Sequence, residues 1–167
     1  TIKSVISLFI AERGLDIKNP FSGVYLPAQE NRRTRHPISP QNINKLRIAC
    51  EDMNDELRWL VALLADSGMR LSEALGLKKS DLCLNEDLPY VSIREHKHRR
   101  LKTANSARRV PLIGISLWAA NQINLINGDY CFPRYVNADS CNRNSASAAL
   151  NKWVKTVCQT NDVIHGL

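Results

Sequence analysis

The spacing of apolar residues changes twice along this sequence, and that change limits the folds open to the chain. Apolar residues repeat with helical spacing over 39–75, take strand-like patterns at 90–93 and 108–112, and return to helical spacing after 115. The strand segments are few and short, so they predict a small antiparallel sheet. We therefore expect an α+β fold class that is mainly helical.

Residues that start and stop helices set the expected helix bounds. Ser39-Pro40 has the pattern of an N-cap followed by proline at the first helical position, and Gly68 is placed to end the next helix. The predicted helices span about residues 2–13, 40–51, 55–67, 70–75, 115–126 and 144–159.

A change of composition near the amino end predicts a domain boundary. Residues 15–37 lack a periodic apolar pattern and contain turn-forming residues, among them Asn19-Pro20, Gly23 and Pro27. Three arginines follow within residues 29–36. We expect the boundary within this segment.

The charge balance favours a polyanionic partner. The chain of 167 residues carries 23 Lys and Arg against 16 Asp and Glu, a net charge of +7. Nucleic acid is the most frequent partner of such a chain, although the same charge can simply keep a domain soluble. No apolar run approaches the length needed to cross a bilayer, and a signal peptide is not indicated. Five cysteines without a CxxC pair argue against a disulfide framework and favour a reducing, cytosolic compartment.

The densest positive charge lies in residues 94–109, where seven Lys and Arg side chains accompany one acid, Glu95. On a connection between two strands, this cluster predicts a projecting cationic ridge that can follow a phosphate backbone. The alternative is a solvated loop without a specific partner. His96 and His98 lie in the cluster, but no third ligand has metal-binding spacing, so no metal site is predicted. The candidate DNA-binding residues are Arg94, Lys97, Arg99, Arg100, Arg108 and Arg109.

Arg70 and Glu73 form a more specific candidate pair. Residues three apart can meet on one face of a helix, where a carboxylate can orient a guanidinium and keep it rigid. The same spacing also fits an ordinary surface ion pair, which contributes little to stability.

Three segments in combination resemble the tyrosine recombinases of the phage integrase family. Residues 65–77 (ADSGMRLSEALGL) resemble the first signature box of that family, and the Asp-Leu at 81–82 also fits it. Residues 101–112 (LKTANSARRVPL) resemble the β-hairpin that carries the catalytic lysine. Residues 164–167 (IHGL) resemble the opening of the second box, His-x-x-Arg. The three boxes occur in the order of the family.

This resemblance implies site-specific DNA recombination, or DNA integration, through a 3′-phosphotyrosyl intermediate and without a metal or other cofactor. Arg70 would bind the nonbridging phosphate oxygens, and Glu73 would brace Arg70. Lys102 would act as general acid for the leaving 5′-oxygen. His165 would assist proton transfer at the phosphate.

The resemblance also implies an organisation and a setting. Residues 1–36 would be the last helix of an N-terminal core-binding domain plus the interdomain linker, and residues 37–167 a catalytic domain whose C-terminal part is missing. The implied partner is double-stranded DNA, bound by a homotetramer of the full-length protein, with no membrane partner. The implied origin is a bacterium or its phage or prophage, and the implied location is the nucleoid in the cytoplasm.

Two departures from the family pattern predict that this chain binds DNA at most. The second arginine should follow Leu167, and all four tyrosines precede His165, which is the wrong order for the nucleophile. One alternative function is a non-catalytic DNA-binding remnant or regulator with the same fold. Another is a metal-dependent nuclease, which needs converging carboxylates, whereas the acids here are dispersed.

Overall fold

The structure, a computed structural model, describes residues 2–24, 37–101, 103 and 106–159. The chain divides into two compact units, Thr1–Thr34 and Arg35–Leu167. The helices of the described part are α1 Ile2–Glu12, α2 Pro40–Met53, α3 Glu56–Ser67, α4 Leu71–Leu75, α5 Gly114–Leu125 and α6 Arg143–Cys158. Its strands are β1 Leu82–Cys83, β2 Tyr90–Ile93 and β3 Arg108–Pro111.

The first unit contains α1, and an asparagine side chain fastens the following segment to this helix. Asn19 Nδ2 donates to the Lys3 carbonyl at 2.9 Å and to Ser7 Oγ at 2.7 Å. The predicted helix is confirmed. None of the residues of α1 is buried, and apolar side chains such as Val5 and Phe9 are more than half exposed.

The second unit begins with helices whose ends follow local capping chemistry. Ser39 Oγ accepts a hydrogen bond from Asn42 N at 3.3 Å, and Pro40 occupies the first turn of α2, as predicted. Asp55 caps α3 through Arg58 N at 3.1 Å. Gly68 ends α3 with a φ of 60°, a left-handed conformation that glycine adopts without steric cost. These three predicted helix ends are therefore confirmed to within about two residues.

Helix α3 forms the centre of the core. Residues 60–64 are buried as a continuous run, because α3 packs against both α2 and α5. Helix α6 covers α2 and α4 and contributes Leu150 and Val154 to the same core. Asp66 at the end of α3 accepts a hydrogen bond from Ile115 N at 2.9 Å, which holds the start of α5 against α3. No helix in the described part of the chain is long and apolar enough to span a bilayer.

The three strands form one antiparallel sheet in the order β1-β2-β3, which confirms the predicted α+β class. In the register of β2 with β3, Ile93 lies opposite Arg108 and Ser92 lies opposite Arg109. Ile93 is buried and successive residues of a strand point to opposite faces, so Arg108 lies on the core side and Arg109 on the outer side. Strand β1 was not predicted, because two residues are too few to show an alternating pattern.

Candidate functional site

A buried carboxylate, that of Glu73, connects α4 to β3. Glu73 Oε1 accepts hydrogen bonds from Arg70 Nη1 at 2.8 Å and from Arg108 Nη1 at 3.2 Å. Glu73 Oε2 accepts from Arg108 Nη2 at 3.0 Å and from the backbone N of Arg70 at 2.9 Å. The contact between Arg70 and Glu73 expected from their spacing therefore forms. A second arginine, from the sheet, completes the cluster.

Local backbone geometry explains why Arg70 is exposed while Glu73 is not. Arg70 is the N-cap of α4 with an extended backbone, and Glu73 at the third helical position reaches back to its N–H. Leu71 and Leu75 are buried and hold the short helix against the core. The Arg70 side chain is 56% exposed, whereas that of Glu73 is 5% exposed. The Arg70 guanidinium is thus exposed to solvent, while the Glu73 carboxylate that holds it is buried in the domain.

The electrostatics of this cluster keep Glu73 ionised. Burial alone would raise the pKa of Glu73, but hydrogen bonds from Arg108 and from the backbone and side chain of Arg70 outweigh burial and lower it to about 2. Two guanidinium groups then share one carboxylate charge. The cluster carries a net positive charge, and the exposed Arg70 presents it to solvent.

A groove of about 500 Å³ lies beside Arg70. Arg70, Leu71 and Ser72 line one side, and Arg143 and Asn144 from the start of α6 line the other, together with a serine of the same helix. Two of the six lining residues are arginines and none is acidic, which suits an anionic ligand. Within the described residues, no three His, Cys, Asp or Glu side chains form a group that could hold a metal ion.

A second buried carboxylate, that of Asp81, fastens the connection that follows β2. Asp81 accepts hydrogen bonds from Lys78 N at 3.0 Å and from Arg94 Nε at 2.5 Å, and it contacts His96 Nε2 at 2.7 Å. Burial would raise the pKa of Asp81, but these contacts outweigh burial and lower it. The His96 ring stacks on His98, whose Nε2 contacts the Gly76 carbonyl at 3.0 Å.

The structure differs from the predicted cationic ridge most clearly at Arg99. This side chain is 5% exposed and donates to the carbonyls of Glu73, at 2.5 Å, and of Arg94. It packs over Gly76, where an added Cβ would come within 2.9 Å of Arg99 Cβ and Cγ. Arg99 therefore cannot face a phosphate backbone. The Arg99 backbone also forms a tight turn with His96, in which the N–H of each residue donates a hydrogen bond to the carbonyl of the other, at 3.1 and 3.0 Å.

The other basic candidates point in different directions. Lys97 is largely exposed and pairs with Asp139 at 2.7 Å, and Arg100 is exposed. The guanidinium of Arg109 lies over the ring of Tyr90 at 4.9 Å, on the outer face of the sheet. Arg94 is half exposed but bound to Asp81. Of this set, only Arg108 shares the Glu73 carboxylate with Arg70.

Lys102 and His165 lie outside the described residues. Two described residues that follow Lys102, Thr103 and Ser106, are connected to the Glu73 cluster by hydrogen bonds. Ser106 N donates to the Thr103 carbonyl at 3.0 Å, and the two hydroxyls are 2.9 Å apart. Arg108 Nη1 donates to the Ser106 carbonyl at 3.0 Å.

The positioning of Arg108 was missed by the sequence reasoning, which counted it only among DNA contacts. A signal was present. Arg108 and Val110 are two apart in a predicted strand, so they share a face, and the face of an apolar valine is normally the core side. The burial of Asp81 had no comparable local signal.

Comparison with known proteins adds a family and a fold. A model described as "Phage integrase family" matches residues 37–166. The crystal structure of XerA recombinase is similar to this chain with a TM-score of 0.57 and 18% sequence identity. The similarity covers 98% of this chain and 55% of the XerA chain, so this chain spans about half the length of that recombinase. None of the curated proteins matches the sequence significantly.

Proposed function

This chain belongs to the phage integrase family, and from that premise we propose that it binds duplex DNA through the surface around Arg70. The activity of the full-length protein is then site-specific recombination by strand cleavage and rejoining through a 3′-phosphotyrosyl intermediate. The observation that carries this proposal is the cluster of Arg70, Glu73 and Arg108, because it holds an exposed guanidinium in a defined direction beside a groove that a second arginine, Arg143, also lines.

The chemistry of phosphoryl transfer explains why this cluster suits the reaction. Negative charge on the nonbridging phosphate oxygens must be stabilised in the transition state. A guanidinium is planar and permanently charged, and it can donate two parallel hydrogen bonds to such oxygens. Glu73 holds Arg70 through both its backbone and its side chain, so the donor is oriented before the DNA arrives.

The family resemblance assigns the proton transfers to two residues, Lys102 and His165. Lys102 protonates the leaving 5′-oxygen, and His165 assists proton transfer at the phosphate. The contacts of Thr103 and Ser106 support this assignment for Lys102, since they tie its immediate neighbour to the cluster that holds Arg70.

The tyrosines described by the structure are poor candidates for the nucleophile. Tyr135 is buried, and Tyr130 packs edge-on against His98 with ring centroids 5.1 Å apart. Tyr90 lies on the outer face of the sheet, and its contact with Cys83 raises the pKa of its hydroxyl. Tyr25 lies outside the described residues. We therefore propose that this chain binds DNA without forming a covalent adduct, and a detected protein–DNA adduct would contradict this.

The organisation and setting of the protein are part of the same proposal. Residues 1–36 are the end of a core-binding domain and its linker, and residues 37–167 belong to the catalytic domain. The exposed apolar side chains of α1 support the first assignment, because such a face is normally covered by further protein. The full-length protein acts as a homotetramer on DNA in the bacterial cytoplasm, in association with the nucleoid or a prophage.

The binding test uses this chain and a fluorescent DNA duplex in increasing NaCl. We expect log Kd to rise linearly with log salt concentration, as phosphate contacts require. Arg70→Ala should weaken binding by about 3- to 10-fold and reduce the salt slope by about 1. The matched control is Arg47→Ala, because the Arg47 side chain is also 56% exposed and also pairs with a glutamate on its own helix. Equal losses in the two variants, or no binding of DNA by the wild type, would contradict the proposal.

The catalytic test uses a longer protein that includes a nucleophilic tyrosine and a nicked DNA that traps the covalent intermediate. Arg70→Ala should reduce cleavage by at least about 100-fold while most of the DNA affinity remains. Cleavage at the normal rate would overturn the role of Arg70. Absence of cleavage in the unmutated longer protein would favour the second candidate, a DNA-binding remnant or regulator. Cleavage that EDTA abolishes would instead favour a metal-dependent nuclease.

A further inference from the structure

We propose that Arg108 is a positioning residue that sets Arg70 and the hydrogen-bonded residues Thr103 and Ser106, which follow Lys102 in the sequence, relative to each other. This inference rests on the proposed function, because it assigns Arg108 a part in the same site. It replaces the expectation that Arg108 is simply one of several contacts to the DNA backbone.

The Arg108 guanidinium bridges two segments of the chain. On one side, Arg108 binds both carboxylate oxygens of Glu73, at 3.2 and 3.0 Å. On the other side, Arg108 Nη1 donates a hydrogen bond to the Ser106 carbonyl at 3.0 Å. Ser106 is in turn hydrogen-bonded to Thr103, the residue after Lys102. A displacement of this one side chain would therefore free the Ser106 carbonyl and remove two of the four hydrogen bonds that hold the Glu73 carboxylate.

The geometry of the Arg108 guanidinium couples its hydrogen bonds on the two sides. Its donors form a rigid planar fork, so the direction of the bonds to Glu73 also fixes the direction of the bond to Ser106. Glu73 in turn holds Arg70 by two bonds. A lysine at position 108 would keep the positive charge, but its single ammonium group cannot reproduce this fork.

Arg108 also sets the net charge of the cluster. If Glu73 were paired with Arg70 alone, the carboxylate would offset the charge of the arginine that is to meet the phosphate. Arg108 supplies a second cation to the same carboxylate, so the three side chains together remain positive. The Arg108 side chain is the less exposed of the two arginines, 37% against 56%, as suits a group directed at Glu73 rather than at DNA.

Arg109 provides a matched control beside it in the sequence. It is also an exposed arginine of β3, but it lies on the opposite face of the sheet over the ring of Tyr90. Replacing Arg109 by alanine removes the same charge at nearly the same place without touching Glu73 or Ser106.

The test compares Arg108→Ala, Arg108→Lys and Arg109→Ala in this chain, without DNA, by ¹⁵N relaxation. In both Arg108 variants, we expect order parameters at the backbone N–H of residues 103 and 106 and at the Arg70 side-chain Nε–H to fall together. The backbone values should fall from about 0.85 to below about 0.6. Arg109→Ala should change neither. A change at only one of the two places, or the same change in Arg109→Ala, would overturn the proposal.

A second readout separates positioning from simple support of the fold. Arg108→Ala should weaken binding to the DNA duplex about tenfold, and Arg109→Ala about threefold or less. Adding Glu73→Gln to Arg108→Ala should recover about threefold, because the amide removes a carboxylate charge that has lost its second cation. No recovery would contradict the charge argument. If Arg108→Ala does not fold, Arg108→Lys carries the relaxation test.

The two readouts also distinguish the inference from the proposed function. Coupled loss of order without any DNA binding by the wild type would leave the positioning role intact and overturn DNA binding. Normal DNA binding with unchanged order in the Arg108 variants would overturn the positioning role alone.

Discussion

Glu73 and Asp81 are two buried carboxylates with similar hydrogen-bonding patterns and different structural roles. Each accepts one backbone N–H from a residue three positions earlier, Arg70 N or Lys78 N. Each also contacts two basic side chains. The similarity follows from a general constraint, since a buried carboxylate must be paired and hydrogen-bonded to remain charged.

The difference lies in where their basic partners come from. The partners of Asp81, Arg94 and His96, belong to one short segment, so Asp81 fastens a single connection to the core. The partners of Glu73 belong to α4 and to β3, so Glu73 joins two elements. One of these partners, Arg70, also extends into solvent beside a groove. A buried carboxylate thus stabilises a loop in one place and builds a candidate site in the other.

The largest expected effect is on stability, at Asp81. Asp81→Ala removes a fully buried carboxylate and leaves Arg94 and His96 without their shared partner. We expect the free energy of unfolding to fall by roughly 3–5 kcal/mol, measured by urea denaturation. The control is Asp139→Ala, which removes an exposed carboxylate from a surface pair with Lys97 and should cost less than about 1 kcal/mol. Equal losses in the two variants would show that the buried Asp81 contributes no more to the free energy of unfolding than an exposed carboxylate does.

A somewhat smaller effect is expected for the pH dependence of stability through Glu73. The pKa of Glu73 is about 2 in the folded chain, against its usual 4.5. A lowered pKa adds stability that is present above pH 4.5 and is lost as the pH falls from 4.5 towards 2. The amount is roughly 3 kcal/mol.

Glu73→Gln isolates this contribution, because the amide does not titrate. The difference in unfolding free energy between wild type and Glu73→Gln should shrink as the pH falls from 5 to about 2.5. Asp81 also has a lowered pKa but is present in both proteins, so its contribution cancels. Parallel stability curves for the two proteins would contradict the assigned role of the Glu73 carboxylate.

The smallest effect is expected at Lys97. Its pair with Asp139 is 2.7 Å long, but both side chains are mostly exposed, 84% and 74%. Lys97→Ala should therefore change the unfolding free energy by less than about 0.5 kcal/mol. If Lys97 contacts DNA, the same variant should lower the salt slope of binding by about 1. A large loss of stability would show that the pair is not an ordinary surface ion pair.

Local chemistry was sufficient for much of the fold. The N-cap of Ser39 and the left-handed Gly68 depend on residues within one turn of helix, so the sequence alone predicted both. The contact of Arg70 with Glu73 was predicted for the same reason, since three positions on a helix bring two side chains together. The family was also indicated by short, contiguous motifs.

Only the tertiary structure determines where the side chains of the basic cluster lie. Seven cations within residues 94–109 suggested one ridge, yet Arg99 lies inside the domain and Arg108 and Arg109 lie on opposite faces of the sheet. Arg108 pairs with Glu73, which is 35 residues away in the sequence, so no local pattern predicted the pair. The physical reason is that a charged side chain enters a protein only where other groups pair with it, and for Arg99 and Arg108, Glu73 supplies such groups from 26 and 35 residues away. Those partners exist only once the chain has folded.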